Sequence, residues 1–279
     1  MSQDWSKKEV ELIVKDYFEM LEEELRQSPF NKTAHRKALL PLLNHRNSGS
    51  VEFKHQNISA VLVENGLPFI KGYKPLGNYQ SILEDQVIKA LRGLEPELMP
   101  LFEKFSDLTV PAPSVSATDF KTCLEKGPVS SPEPKRRKPS YRTSFVNYLE
   151  KEQNNRALGF GGEQFVLEYE EWRLKRVGRS DLVGKIEWIS RDKGDGAGFD
   201  ILSRNEDDSE RFVEVKTTKL PKEAPIFVSA NEVSFAASHA ENFYLYRVFN
   251  YGPDKKLFIR QGNYKDFCFL RPVGFKGMF

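Results

Sequence analysis

Two charged residues, Glu214 and Lys216, interrupt the most strand-like run of the chain, "RFVEVKTTK". Residues two apart in a strand point to the same face, so these two side chains project together while Val213 and Val215 face the other side. Asp200 lies in the preceding predicted strand, "GFDILSR", and a polar turn, "NEDDSE", connects the two runs. If the strands are antiparallel neighbours, two carboxylates and one ammonium group converge.

This set of groups is typical of a divalent metal site that acts on phosphate esters. Mg²⁺ prefers oxygen ligands, takes one or two carboxylates and keeps several waters. Adjacent carboxylates repel each other, so a metal or a proton is needed between them. A bound metal polarises a phosphate and lowers the pKa of a bound water, while Lys216 can position that water or offset charge on the phosphorus. The pattern therefore predicts phosphodiester hydrolysis with Mg²⁺, or with Mn²⁺ in its place.

A helical carboxylate extends this candidate site. Glu163 lies in "GGEQFVLEYE", which opens the helix before the strands, and Glu170 follows seven residues later on the same helix face. A helix packed on the sheet could bring Glu163 to the metal, directly or through water. Glu170 is a second candidate on that face.

The elements that position these residues form a C-terminal α/β unit. A helix ending at Gly178 precedes four β-rich runs, "KIEWISR", "GFDILSR", "RFVEVKTTK" and "APIFVS". A helical segment, "SANEVSFAASHAEN", then precedes two more strands, "FYLYRVFNY" and "KLFIRQ". Ser229 and Glu232 match a capping box, which explains Glu232 better than a place in the site does. The order of elements predicts a central mixed sheet.

The rest of the chain divides into a helical domain and a linker, so we predict an α+β fold of two domains. Helical spacing over residues 1–105, with a capping box at Ser6 and Glu9, predicts an all-α domain for recognition or partner contact. Residues 106–140 carry six of the sixteen prolines and few large apolar residues, which predicts a flexible linker. Residues 141–279 form the α/β domain.

A polar cluster near a helix start in the N-terminal domain could bind nucleic acid. Lysine can hold phosphates, and glutamine or asparagine can read base edges. A polar rim around a helix N-terminus is an equally supported alternative. The basic run "KRRK" in the linker could touch phosphates or simply be solvated. The members of the cluster are Arg46, Lys54, His55, Gln56, Asn57, Lys71, Tyr73 and Lys74.

Composition excludes several other classes of protein. A net charge of +2 does not by itself predict a polyanion partner. The two cysteines, Cys123 and Cys268, are expected to be reduced thiols. No apolar run reaches the length of a membrane span, no signal peptide is recognisable, and no nucleotide cofactor motif is present. His35, His45 and His55 recur at a spacing that matches no known metal site, so we expect surface or core roles. These features predict a cytoplasmic protein without a membrane partner.

The candidate site resembles that of the PD-(D/E)XK nuclease superfamily. The match consists of Asp200, then Glu214-Val215-Lys216, with a helical Glu163 upstream; Phe199 stands where the superfamily usually has proline. The resemblance implies a restriction-endonuclease-like α/β fold, with Asp200 and Glu214 as metal ligands. It also implies a third ligand in the Val215 carbonyl, a catalytic role for Lys216 and an accessory role for Glu163.

A wider pattern over about residues 145–270 resembles the NO VEIN C-terminal-like domain. It comprises "GGEQFVLEYE", "KIEWISR", "GAGFDILS", "RFVEVKTT", "IFVSANE" and "FYLYRVF". In the helical domain, "SVEFKHQNISAVL" and "IKGYKPLGNYQ" are similar to a module that precedes nuclease domains in restriction-like proteins. These resemblances imply a metal-dependent DNA endonuclease of restriction or antiviral defence. The substrate could be DNA or RNA, and a double-strand break would need two nicks or a homodimer.

Two alternatives stay open. The domain could be a catalytically inactive nuclease fold that binds nucleic acid or a partner protein. Alternatively, Glu214 and Lys216 could form a surface salt bridge that contributes little to stability.

Overall fold

The computed structural model describes residues 4–108, 117–129 and 146–274. These residues separate into two compact units. The first contains residues 4–108, 146–155 and 223–225, and the second contains residues 117–129, 156–222 and 226–274.

The first unit is helical. Its first helix begins at the predicted capping box, in which the Ser6 side chain accepts from the Glu9 N–H and the Glu9 carboxylate accepts from the Ser6 N–H. Apolar residues at helical spacing, among them Val10, Ile13 and Tyr17, are buried on one face of this helix. The helices of the unit are α1 (Lys7–Leu25), α2 (Lys32–Leu39), α3 (Ser48–Glu64), α4 (Ser81–Gly93), α5 (Glu95–Asp107) and α7 (Tyr148–Gln153).

The second unit combines helices with one sheet. Its helices are α6 (Ala117–Thr122), α8 (Arg156–Arg176), α9 (Ile189–Lys193), α10 (Ala230–Ser238) and α11 (Tyr264–Phe267). Its strands are β1 (Glu187–Trp188), β2 (Ile201–Arg204), β3 (Glu210–Thr217), β4 (Phe243–Phe249) and β5 (Lys256–Gln261).

In the described part of the chain, the five strands form one mixed sheet in the order β1-β2-β3-β4-β5. Strands β3 and β4 pair in parallel through the crossover that contains α10, and the other neighbours are antiparallel. In the β2–β3 pair Ile201 lies opposite Val213, so the predicted antiparallel arrangement of these two strands is confirmed. The predicted α+β character and mixed sheet are confirmed; the restriction-endonuclease-like arrangement stays a prediction.

Each face of the sheet is covered by helices. Val213 and Val215 pack into a core with residues of α8, including Phe165 and Val166. Phe212 faces the opposite side and packs into a second core with residues of α10 and α11. Because side chains alternate along β3, Glu214 and Lys216 lie on the Phe212 face.

Two predicted strands differ from the structure. "KIEWISR" forms only a two-residue strand, β1, before the chain turns into α9. "APIFVS" forms no strand. Pro225 in this run lacks an N–H for a strand ladder, and Ile226 and Val228 instead pack as partly buried residues against the second core.

Part of the segment predicted as a linker packs on the second unit. Phe120 and Cys123 are buried in the core with α8. Leu124 forms a parallel bridge with Leu257 of β5, supported by hydrogen bonds from the Leu257 N–H to the Cys123 carbonyl and from the Glu125 N–H to the Leu257 carbonyl, both 2.8 Å. A short segment can add to an edge strand because that strand has free backbone groups. The linker prediction is therefore wrong for residues 117–129.

The remaining parts of the predicted linker, including "KRRK", lie mostly outside the described residues. Within the described ranges, none of the helices is both long and apolar enough to cross a membrane.

Candidate active site on strand β3

Asp200 lies directly before Ile201, the first residue of β2. Its N–H donates to the Val213 carbonyl at 2.9 Å, and its carboxylate oxygen Oδ2 accepts from the Val215 N–H at 2.8 Å. The Asp200 side chain thus accepts the hydrogen bond from Val215 that a backbone carbonyl would accept if β2 continued along β3. Since the N–H and C=O of one strand residue point to the same neighbour, the Val215 carbonyl is directed to this same edge.

Glu214 and Lys216 form a buried ion pair on the α10 face. The Lys216 Nζ atom lies 2.8 Å from Glu214 Oε1 and 2.7 Å from Glu232 Oε2. The Glu214 side chain is 4% exposed and the Lys216 side chain 17% exposed. The pair is therefore not the surface salt bridge considered as an alternative.

Glu232 contacts this site, although its sequence context favours a helix cap over a place in the site. It does cap α10, because its N–H donates to Ser229 Oγ at 3.2 Å and Ser229 Oγ donates to Glu232 Oε1 at 2.9 Å. The other carboxylate oxygen faces Lys216. The capping box accounted for the residue fully at the level of sequence, and only the packing of α10 on β3 reveals the second contact.

Glu163 reaches the site from α8. Its Oε2 atom accepts from Trp188 Nε1 at 2.6 Å and also from the Ser190 hydroxyl. Trp188 is itself fixed by stacking on Phe160. The Glu163 charge is one of the causes that raise the pKa of Asp200.

Two carboxyl groups of the site, those of Asp200 and Glu214, have raised pKa values. Burial and the Glu163 charge raise the pKa of Asp200 to about 7, against the opposing effect of its hydrogen bond from Val215. Burial and the Asp200 charge raise the pKa of Glu214 well above its usual value. Burial alone would lower the pKa of Lys216, but the charges of Glu214 and Glu232 outweigh it and raise that pKa. The site has more carboxylates than ammonium groups.

The donor chemistry of this site fits a hard divalent cation. Carboxylate oxygens and a backbone carbonyl are the ligands that Mg²⁺ and Mn²⁺ prefer. Burial and nearby carboxylates raise the pKa values of Asp200 and Glu214, and Lys216 is the one ammonium group paired with this site, so a cation would supply further positive charge. Among the described residues, Glu163, Asp200 and Glu214 do not form a trio with ligand oxygens all within 4.8 Å of one another. Binding would therefore require the carboxylates to move closer together.

Glu170, the second helical candidate, is not part of this site. It is fully buried beside the other face of the sheet, where Ser203 Oγ donates to it at 2.7 Å and Tyr246 Oη at 2.5 Å. Arg173 forms a two-nitrogen contact with the same carboxylate. Seven residues keep Glu170 on the face of Glu163 but move it about 10 Å along the helix. Its role is to satisfy a buried polar network.

The predicted nucleic-acid surface of the first unit is largely interior. Arg46 Nε donates to Glu9 Oε1 at 2.8 Å, and the Lys54 ammonium lies 5.0 Å from the centre of the Trp5 ring system. His55 and Asn57 are buried, and the Asn57 amide donates to the Leu76 carbonyl at 2.5 Å. Several polar residues of this stretch therefore form internal hydrogen bonds and are not exposed on the surface.

Three further members of the predicted set remain accessible in the first unit. Lys71 and Lys74 are exposed, and Gln56 is half-buried. Tyr73 is buried, with the Lys32 ammonium 4.5 Å from its ring centre. The accessible residues are too few to form the predicted base-reading surface by themselves.

Residues 162–260 match the family model described as "Protein NO VEIN, C-terminal". The matched region runs from α8 to β5 and contains Glu163, Asp200, Glu214, Lys216 and Glu232. The predicted resemblance to this domain is confirmed over that range. No curated protein and no solved structure matches the chain.

Proposed function

We propose that this chain is a metal-dependent DNA endonuclease that hydrolyses phosphodiester bonds in a restriction or antiviral defence setting. One observation carries the proposal: an aspartate directly before β2 bonds to β3 next to a glutamate-x-lysine ion pair on that strand. A helical glutamate, Glu163, acts electrostatically on the same aspartate. This is the arrangement expected from the resemblance to PD-(D/E)XK nucleases.

The residues that would hold the metal are Asp200 and Glu214, with the Val215 carbonyl and Glu163 as further ligands. When bound, Mg²⁺ or Mn²⁺ would polarise the scissile phosphate and lower the pKa of a water. Lys216 remains an ammonium group at neutral pH, because its pKa is raised by two carboxylates. It therefore donates hydrogen bonds to the attacking water or the phosphate oxygens, and does not remove a proton.

Trp188 and Ser190 have a positioning role in this scheme. Both donate to the same Glu163 oxygen, which leaves the other oxygen of that carboxylate for a metal or a water. Glu232 holds the opposite side of Lys216 and keeps the ammonium group over the α10 face. The lysine is thus oriented before substrate arrives.

Plasmid nicking with titrated Mg²⁺ and Mn²⁺ tests this proposal. Wild type is expected to nick DNA, and Asp200→Ala and Lys216→Ala to lose about 100-fold or more of the rate. Lys175→Ala is the control, because it removes an exposed lysine from a surface pair with Glu171 on α8. Modified and unmodified DNA are both assayed.

Equal nicking by wild type and both site variants would overturn the proposal. The same holds if the wild type cleaves none of the modified or unmodified substrates at any metal concentration. Retained DNA binding in that case would support the alternative, an inactive nuclease-fold module that binds nucleic acid. The ratio of nicked to linear product, with the mass of the chain in solution, distinguishes a monomer from a homodimer.

A further inference from the structure

Three potential metal ligands meet in the first unit. Asp16 and Glu19 lie three residues apart on one face of α1, and His35 lies on α2. One ligand atom from each residue lies within 4.8 Å of those of the other two. Within residues 4–108, 117–129 and 146–274, no other trio of His, Cys, Asp or Glu meets that distance.

The His35 imidazole is surrounded by carboxylates of α1. Its Nδ1 atom lies 2.8 Å from Asp16 Oδ1, and its Nε2 atom lies 3.7 Å from Glu23 Oε2. Lys15 is the cation beside Glu19, 3.8 Å from Oε1, and both side chains are more than half exposed. Such a surface pair is weak, so it would compete little with a bound dication.

A second histidine points to a ligand at this position. His55 is 1% exposed, and its Nε2 atom lies 3.2 Å from Asp16 Oδ2. Nε2 is thus paired with Asp16, whereas the buried His55 Nδ1 has no hydrogen-bond partner among the described residues. Buried polar atoms without partners are rare. The Tyr17 and Tyr73 rings pack against the imidazole, with centroids 5.8 and 4.9 Å away, and hold it facing Asp16.

We propose that Asp16, Glu19 and His35 bind a first-row divalent transition metal of the Zn²⁺ class. Mixed imidazole and carboxylate ligands suit such metals, whereas Mg²⁺ prefers oxygen alone. Three protein ligands leave a coordination position open for water or a substrate oxygen. His55 is a positioning residue, because it contacts the Asp16 oxygen and fixes the orientation of that carboxylate.

The closing movement that this site needs is small. Ligands about 2.0 Å from a tetrahedral ion lie roughly 3.3 Å from one another, so Glu19 must approach its two partners by at most about 1.5 Å. The His35 Nδ1–Asp16 Oδ1 pair, at 2.8 Å, must instead separate slightly. Glu19 is more than half exposed and can make most of that movement by side-chain rotation. The proposal does not depend on the nuclease function, since none of these residues belongs to the site on β3.

Zn²⁺ and Co²⁺ titration of the full chain tests the site. The chain is stripped with chelator and titrated by calorimetry with Zn²⁺, and with Co²⁺ by visible absorbance, in an Asp200→Ala background that disables the other candidate metal site. One Zn²⁺ per chain is expected. Affinity should fall at least about 10-fold in Glu19→Gln and in His35→Gln. His55→Gln should weaken binding by about 10- to 100-fold at unchanged stoichiometry.

His45→Asn is the matched control. His45 is exposed and has a φ of 51°, which asparagine tolerates, so Zn²⁺ affinity should not change. Absence of Zn²⁺ binding by the Asp200→Ala chain, or equal affinity in that chain and the one also carrying Glu19→Gln and His35→Gln, would overturn the proposal. If His35→Gln unfolds by circular dichroism, Glu19→Gln alone decides, because that side chain is exposed.

Discussion

Asp200 accepts a hydrogen bond from the Val215 N–H, yet its pKa rises to about 7. A hydrogen bond to a carboxylate lowers its pKa, so burial and the Glu163 charge must be the larger effects. The folded state therefore binds a proton at Asp200 more tightly than the unfolded state does. Stability from this group is present below the unfolded pKa of about 3.8 and is lost as pH rises through 7.

The Asp200→Asn variant should therefore be more stable than wild type in alkaline, metal-free buffer. Asparagine keeps an acceptor for Val215 and cannot ionise. At about pH 8 with EDTA, the free energy of unfolding should rise by on the order of 1–3 kcal/mol. The difference should shrink as pH falls towards 4. Urea unfolding followed by tryptophan fluorescence measures both, and a variant less stable than wild type at pH 8 would contradict the assigned pKa direction.

Glu232 has two roles that substitution can separate. Glu232→Gln preserves the capping box, since glutamine serves at that position, but removes the charge that faces Lys216. Ser229→Ala removes the cap, at a cost of about 1 kcal/mol, and preserves the ion pair. If the lysine acts in cleavage, the nicking rate should fall about 10-fold in the first variant. The second should change stability more than rate. Equal rates in both variants would show that Glu232 is structural only.

At the residue scale, the part of the site carried by strand alternation could be predicted. Glu214 and Lys216 share a face, and Asp200 joins them, because a period of two and an antiparallel turn determine both facts. For Glu232 the capping box favoured a cap over a place in the site, because its contact with Lys216 depends on how a crossover helix packs. His55 and Asn57 appear polar in sequence but are interior, because their hydrogen-bonding or ionic partners are distant in sequence.

At the scale of elements, α8 and β3 approach each other through a glycine. A Cβ atom on Gly162 would lie 1.8 Å from Thr217 Oγ1 and 2.9 Å from Thr217 Cβ. Gly161 is similarly close to the Tyr251 hydroxyl, at 2.1 Å. The "GG" of this helix therefore sets its distance from the sheet, and with it the reach of Glu163.

Gly162→Ala should destabilise the second unit by about 1–3 kcal/mol, because a branched side chain on a strand must move. Gly159→Ala on the same helix is the control. Its Cβ would meet nothing closer than 4.0 Å, at Glu163 Oε1, so this change should be neutral or stabilising by up to about 1 kcal/mol. Chemical unfolding of both variants gives the comparison. A neutral Gly162→Ala would mean that α8 can shift without cost.

The helices α1, α8 and α10 and the strands β2 to β5 could be predicted from periodicity, whereas the full extent of β1 and the "APIFVS" run could not. Only two residues of "KIEWISR" pair with β2. The few hydrogen bonds of this pairing do not extend the strand, and the chain forms α9 instead. The "APIFVS" run has apolar residues of the right types, but they pack as an extended segment without strand partners. Propensity alone does not distinguish these outcomes.

At the scale of the whole molecule, the proline-rich composition of residues 106–140 predicted a linker, although residues 117–129 pack on the second unit. Averaged over 106–140, the apolar content is low, yet the Phe120 ring packs against those of Phe165, Tyr169 and Trp172 in tilted and edge-on contacts. One aromatic residue buried against three rings is enough to hold a short segment on a core. The position of a domain boundary thus depends on individual side-chain contacts, which the average composition of a segment does not show.

Phe120→Ala should consequently destabilise the second unit by about 2–4 kcal/mol, as expected for a buried aromatic residue. Val129→Ala, at a position 87% exposed in the same segment, should have no measurable effect. Thermal and urea unfolding of the two variants make the test. If Phe120→Ala unfolds like wild type, residues 117–129 contribute nothing to the core, and the original linker assignment is restored.

The shared carboxylate of Glu232 couples the fraying of a helix to the assembly of the site. Opening the first turn of α10 displaces the carboxylate that holds Lys216, and movement of Lys216 towards a substrate removes the ion pair that helps to fix this carboxylate in the cap. Amide hydrogen exchange at the start of α10 therefore reports on the state of the site. A ligand that draws the lysine away should accelerate exchange there, even though it contacts no residue of the helix.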